Sequence, residues 1–389
     1  MLKLLNMKYK VVFISNFMNS HQLFLSNCFH DIFGSNYTFV ETERLSEERR
    51  LMKFDSLYEK SSSSIISTFN SNINESKVLK LINDADFVIY GSAPIRYILT
   101  RLKNKKPIFY YTERVFRNGM WRIINPKFLS YLWVNYFRNF NKNLYLLSVG
   151  KYTYSDFKLL GLFKNKAYKW GYFPETKNYN FQDLLAVKRS QSQINILWVG
   201  RLINWKHPEL CINVAKFLKR KKINFKLKII GEGPMYSTLL RLSKINLLND
   251  QIEFTGFLKS NDIYEEMKKS HIYLMTSDQN EGWGVVVNEA MNCGCSVVGS
   301  NLVGSVSYLI KDGNNGLIYD FKSVKDLNKK VISLINNIEL REKILVNAVE
   351  TISNQWNPFV ASQNLLKIFT SIINNSNSPL NNFGPGEKI

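Results

Sequence analysis

Residues 281–291 read EGWGVVVNEAM and set Glu281 and Glu289 eight positions apart, with Gly282 and Gly284 just after the first carboxylate. A carboxylate can accept a pair of hydrogen bonds from neighbouring hydroxyls, as a ribose or hexose presents them. Upstream, HIYLMTS has strand character, DQNEGWG reads as a loop, and VVVNEAMNCG reads as a helix. Backbone N–H groups where such a helix begins form an anion site, aided by the helix dipole. The plain alternative for Glu289 is a solvated helical glutamate. Its neighbours Val285, Val286, Val287, Ala290 and Met291 argue against that, because so apolar a helix is mostly buried. A carboxylate inside it needs a partner.

Two further stretches carry related chemistry. WVGRLINWKHPE (198–209) ends a strand at Gly200 and follows it with Arg201 and Lys206. A guanidinium fork and an ammonium point charge at the carboxyl end of a strand suit a diphosphate. A solvated basic loop is the alternative. IIGEGP (229–234) places Gly231 and Gly233 after another strand. Glycines there permit a tight turn and close ligand approach, but the third glycine of a dinucleotide fingerprint is missing, so the signal is weak. All three features follow strands of the same half-chain and should converge on one sheet edge. Cations and amides for phosphates, with carboxylates for hydroxyls, predict a nucleotide diphospho-sugar as ligand.

The elements needed to position these groups are legible. Short apolar runs at 10–15, 37–42, 85–91, 106–112, 144–150 and 167–173 alternate with amphipathic segments such as 21–33. The second half repeats this with strands at 194–200, 225–231, IEFTGFL, HIYLMTS and CSVVGS, and helices at 207–222, 284–293 and 324–337. Continuous apolar strands separated by helices imply parallel sheets covered on both faces. The reading is an α/β chain of two Rossmann-like doubly wound domains facing a cleft. Residues 1–173 form the first domain, the polar stretch 174–193 a linker, and 194–355 the second domain. The amphipathic segment 356–373 is a helix that either crosses back to the first domain or ends the second. Residues 374–389 lack periodicity and are expected to be disordered.

Composition bounds the partners. The net charge is +21, and residues 101–175 carry 15 basic against 3 acidic groups. Such a segment attracts nucleic acid or anionic lipid, although a generally lysine-rich proteome gives the same bias. Zinc-finger, basic-zipper and RRM signatures are absent, so nucleic acid is not an expected partner. Tyr131, Trp133, Tyr136 and Phe137 interleave with the basic residues. They read either as core at helical spacing or as a surface on anionic membrane. No stretch approaches the ~20 apolar residues of a membrane span. The opening VVFI run is too short for a signal-peptide core. Four cysteines without a CxxC pair suit a reduced, cytoplasmic compartment, with peripheral contact at the inner membrane face.

The combination GRLINWK, IIGEGP, TGF (255–257), SDQNEGWGVVVNEAMNCG and DGNNGLIY resembles glycosyltransferase family 4, retaining enzymes of the GT-B fold. The resemblance covers 194–335. FISNFMNSHQLFLSNCF, GSAPIRY, YYTERVF and YKWGYFPE are similar to bacterial transferases that build surface polysaccharides, such as capsule or lipopolysaccharide. It implies that Arg201 and Lys206 hold the diphosphate, that Glu289 binds the nucleotide ribose, and that Glu281 contacts the donor sugar. Backbone amides of Gly282, Trp283 and Gly284, with Val285 beside them, would lie near sugar or phosphate. Gly231, Gly233, Pro234, Gly256 and Phe257 would line the base pocket. No metal or other cofactor is implied, because the cations take that electrostatic role. The donor would be UDP-linked and the acceptor a glycan or polyprenyl-linked glycan. The family's usual glycine-rich loop after the first strand is replaced here by SNFMNSHQ, which suggests His21 as a substitute. Glu113 follows the fourth strand and, like His21, is a candidate for orienting the acceptor. A nonhydrolysing sugar-nucleotide epimerase is the alternative of the same double-Rossmann shape, but only four histidines are available to it: His21, His30, His207 and His271.

Overall fold

A computed structural model describes residues 9–45, 61–70, 75–140, 142–376 and 383–389. The chain forms two compact units, Met1–Glu175 with Asn357–Ile389, and Thr176–Trp356. The first is built on β1 (Val11–Ser15), β2 (Tyr37–Glu41), β3 (Ser64–Ser67), β4 (Phe87–Tyr90), β5 (Ile108–Thr112), β6 (Leu144–Val149) and β7 (Ala167–Trp170). These pair in parallel in the order β3-β2-β1-β4-β5-β6-β7. The second is built on β8 (Ile194–Val199), β9 (Phe225–Ile230), β10 (Ile252–Gly256), β11 (Ile272–Met275), β12 (Ser296–Ser300) and β13 (Leu317–Tyr319). Their order is β10-β9-β8-β11-β12-β13, again all parallel. Both are doubly wound α/β sheets. Strands such as VVFIS, FVIY and IYLM are buried along their whole length, as covering on both faces requires.

Asparagine does much of the helix capping. Asn19, Asn125, Asn180, Asn337 and Asn357 each accept a backbone N–H of the helix that follows, satisfying one of the donors that every helix start leaves open. The last long helix, Pro358–Ile373, belongs to the first unit. It buries Leu365, Ile368 and Phe369, and the Phe369 ring stacks on Phe87 at 3.9 Å.

Two expectations are corrected. The stretch 174–193 is not simply a polar linker, because Phe181–Arg189 is a helix that buries Leu184 and Leu185. Its Lys188, 4% exposed, donates to the carbonyls of Met267, Lys268 and Ser270 at 3.0, 3.0 and 2.5 Å. A side chain that reads as solvated therefore caps the end of helix Ser260–Lys269. Residues 383–389 are also ordered. They run beside edge strand β7, exchanging backbone hydrogen bonds between Lys169 and both Gly386 and Glu387, and between Ile389 and Ala167. Lys169 and Glu387 add an ion pair at 2.8 Å. An edge strand's open backbone groups outweigh the segment's lack of periodicity. Finally, β3 and β13 escape the sequence reading. One is a half-exposed edge strand within a serine run, and the other has three residues, too few for a period.

Removing the Lys188 cap tests how far that helix end depends on it. Lys188→Met should lower unfolding stability by about 3 kcal/mol, since the carbonyls of Met267, Lys268 and Ser270 lose the ammonium that joins them. Urea denaturation reads this directly, and an unchanged midpoint would show that water takes the ammonium's place.

Candidate functional site

In the six-stranded sheet, β8 to β10 wind one way and β11 to β13 the other, so the order reverses between β8 and β11. Loops at the carboxyl ends of two strands flanking such a reversal leave a crevice between them. Lys206 follows β8 and Glu281 follows β11, and they meet there: Nζ lies 2.5 Å from Glu281 Oε2. The two side chains are only 14% and 12% exposed. Ser277 Oγ donates to the same carboxylate oxygen at 3.1 Å, and the Lys206 ammonium lies 4.8 Å from the centre of the Trp205 ring.

Both loops are fastened from behind. Trp198 Nε1 donates to Thr276 Oγ1 at 2.8 Å, and Thr276 Oγ1 donates onward to the Lys206 carbonyl at 2.7 Å. The Asp278 amide donates to the Trp205 carbonyl at 3.0 Å. His207 closes the arrangement. Its Nδ1 lies 2.7 Å from Glu209 and its Nε2 lies 3.2 Å from Asp278. The hydrogen bonds to Asp278 and Glu209 raise its pKa to about 9, so the imidazolium persists at neutral pH. Its backbone is left-handed, with φ +48, a region that histidine enters more readily than most residues other than glycine.

The glycines of IIGEGP serve the protein's own backbone. Gly231, with φ +133, lies so close to the preceding loop that a Cβ would sit 1.9 Å from the Gly200 carbonyl oxygen. Leu202 donates to the Glu232 carbonyl at 2.8 Å, and Met235 donates to the Leu202 carbonyl at 3.0 Å. This clasps the loop carrying Arg201 against the loop carrying Gly233 and Pro234. Glu232 in turn accepts from the Phe257 amide at 3.3 Å, bringing Gly256 and Phe257 to the same edge. Arg201 and Phe257 are exposed there.

Glu289 has separate neighbours. It lies on helix Val286–Asn292 and accepts a long hydrogen bond, 3.5 Å, from Tyr264. Burial raises its carboxyl pKa to about 7, and the Tyr264 bond offsets this only in part. Lys177 sits over the Tyr264 ring at 4.1 Å and is held by Asn292, which both donates to and accepts from its backbone. Gly282 and Gly284 precede the helix, and Val285 caps it. The Trp283 side chain is turned inward, 1% exposed. It donates to Asn288 at 2.9 Å and packs on Trp356. Only its main chain is left to meet a ligand.

His21 and Glu113 belong to the first unit, and Tyr172 joins them. The His21 ring stacks on Tyr172 at 4.6 Å, and Tyr172 Oη donates to Glu113 Oε1 at 2.8 Å. Arg117 pairs with the other Glu113 oxygen at 3.3 Å. They line two adjoining hollows that share Ser92, Tyr111 and Tyr172. Sequence reasoning missed Tyr172, Tyr264, Ser277 and the Asp278–His207–Glu209 network. Ser277 and Asp278 lay inside the motif already singled out, whereas Tyr172 and Tyr264 gave no local signal.

The second unit is similar to known proteins. Residues 184–351 match the family model Glycosyl transferases group 1. An uncharacterized glycosyltransferase of Haemophilus influenzae is 30% identical over 227 residues, covering 56% of this chain and 63% of that protein. A poly(ribitol-phosphate) alpha-N-acetylglucosaminyltransferase of Staphylococcus aureus is 24% identical over 187 residues, covering 48% of this chain and 37% of that protein. The chain thus spans about half the length of the curated relatives it matches. Over the whole fold, the crystal structure of Anabaena HepE in complex with UDP is similar at a TM-score of 0.70 and 14% identity, covering 93% of this chain and all of that one. With two Rossmann-like parallel sheets of seven and six strands, the fold is GT-B.

The His207 network predicts a pH dependence. A histidine whose folded pKa exceeds its unfolded value contributes stability that is complete below about pH 6.5 and lost as pH rises through about 9. Melting temperature should fall across that window, and His207→Gln should flatten the fall. An identical slope in the variant would place the effect elsewhere.

Proposed function

We propose that the protein is a retaining glycosyltransferase that moves a sugar from a UDP-linked donor to a glycan acceptor in surface-polymer synthesis. The observation that carries this reading is the meeting of Lys206 and Glu281 at the reversal of the six-stranded sheet, with Arg201 exposed on the same edge. Lys206 and Arg201 take the diphosphate. Glu281 is then released from Lys206 to accept hydroxyls of the donor sugar, so the ion pair is exchanged for two ligand contacts. The base rests among Gly231, Gly233, Pro234, Gly256 and Phe257. The ribose hydroxyls donate to Glu289.

In the transfer, the acceptor hydroxyl oxygen bonds to the anomeric carbon on the face the diphosphate leaves. The carbon–oxygen bond to the phosphate breaks, and the hydroxyl proton passes to the departing phosphate oxygen. No protein nucleophile is required, and the cations stabilise the charge on the leaving group. His21 and Glu113 orient the acceptor. No bound metal or other cofactor enters the scheme. The names of the relatives described above support transfer and do not favour epimerisation.

A panel of nucleotide sugars in a thermal-shift assay is the direct test. A donor at roughly 100 times its dissociation constant should stabilise the protein by about 2.7 kcal/mol. No response to any donor would overturn the reading.

Glu289 gives a sharper test. A carboxyl whose folded pKa is raised contributes stability below its unfolded value, near 4.5, and loses it as pH rises through about 7. Glu289→Gln should therefore raise the melting temperature above neutral pH. The same change should weaken UDP binding by about tenfold or more, because an amide cannot accept both ribose hydroxyls. Calorimetry would show it, and a variant that is more stable yet binds UDP normally would remove Glu289 from the ribose site.

A further inference from the structure

The first unit carries an apolar ridge that the transfer reading does not use. The short helical turn Met120–Ile124 leads into helix Pro126–Asn135. That helix has two apolar faces. Phe128 and Leu132 are buried on one, while Leu129 and Trp133, one turn apart, are exposed on the other. Trp121, Ile124, Trp133 and Phe140 are 67%, 80%, 61% and 57% exposed. Leu129, Trp133 and Phe137 also line a shallow apolar hollow. The interleaved aromatics thus divide: Tyr136 is core at 4% exposure, and Trp133 faces outward.

Charge identifies the occupant. From Glu113 to Asp156 the sequence holds no intervening carboxylate and seven lysines and arginines. Arg122, Lys127 and Arg138 lie within the ridge itself. A second copy seated symmetrically on this face would set cation against cation with nothing to neutralise them. An anionic bilayer offers the opposite. Phosphates meet the cations, and tryptophans at the ridge sit at the headgroup level with the aliphatic side chains beneath. We infer that the ridge of residues 120–140 docks on an anionic lipid bilayer, inserting Trp121, Ile124, Leu129 and Trp133 while Arg122, Lys127 and Arg138 bind lipid phosphates.

The hollow containing Glu113 is lined also by Trp121, Arg122, Lys127 and Tyr131. It therefore opens beside the ridge, where a membrane-borne head group would be presented. The docking surface itself stands on exposure and charge, independently of the transfer reading.

Vesicle co-flotation of the full chain tests this without any activity measurement. Mixed phosphatidylglycerol–phosphatidylcholine vesicles should carry the protein up the gradient, and pure phosphatidylcholine vesicles should carry much less. Ile124→Ser with Trp133→Ser should reduce the bound fraction by about tenfold. Arg122→Gln with Lys127→Gln should reduce binding and flatten its dependence on salt. Leu247→Ser, an equally exposed leucine of the other unit at 72%, should bind like the unaltered protein. Brominated lipid should quench tryptophan emission in the unaltered protein and less in Trp121→Phe. Circular dichroism checks that each variant is folded. Absence of binding to anionic vesicles, or equal binding by the folded ridge variants, overturns the inference, as does a salt-stable dimer that the ridge variants abolish.

Discussion

The reversal of strand order between β8 and β11 is the constraint on which the meeting of Lys206 and Glu281 depends. Every strand of a parallel sheet delivers its next loop to the same edge, but only at the reversal do neighbouring loops part and leave a crevice. Lys206 and Glu281 come from those two loops, 75 residues apart in sequence, and bridge the gap between them. Each is largely withdrawn from water, so either one alone would be a poorly solvated charge. The chain of Trp198, Thr276 and the Lys206 carbonyl fixes one loop against the other. His207, clamped between Glu209 and Asp278, adds an ionic tie at the same place. Preorganisation here is a matter of neighbouring strands and short hydrogen bonds.

Glu289 illustrates a different balance. Burial raises its pKa, and the hydrogen bond it accepts from Tyr264 is long. Such a carboxylate costs the folded protein stability at neutral pH. Glu281 faces the opposite situation, being already satisfied by Lys206 and Ser277. Two glutamates of one motif thus differ in how well the protein itself satisfies them, and the difference comes from their surroundings.

The first unit distributes its aromatic residues between two tasks. Tyr110, Tyr136, Phe157 and Phe163 form an interlocked core with ring centroids 5.0 to 6.5 Å apart. Trp121 and Trp133 stand outside it, among cations. Helix Pro126–Asn135 can serve both because its inner and outer stripes are each apolar, which leaves little of its surface for ordinary polar solvation.

Two parallel sheets, the placement of most of their strands, and the gathering of Arg201, Lys206 and Glu281 at one edge were legible in the sequence. The reason is physical: fully buried strands must be continuously apolar, and parallel winding sends successive loops to the same edge. Periodicity could not report features made by partners distant in the chain. The cap that Lys188 provides, the return of residues 383–389 to β7, the inward turn of Trp283 and the contact of Tyr264 with Glu289 all depend on neighbours that sequence spacing does not encode. The same holds for the glycines at 231 and 233, whose absence of a Cβ is demanded by the backbone of Gly200 and Leu202. Residue type and period determined which groups are present and which edge they reach. Tertiary packing decided which of them are paired, which are buried at a cost, and which face outward.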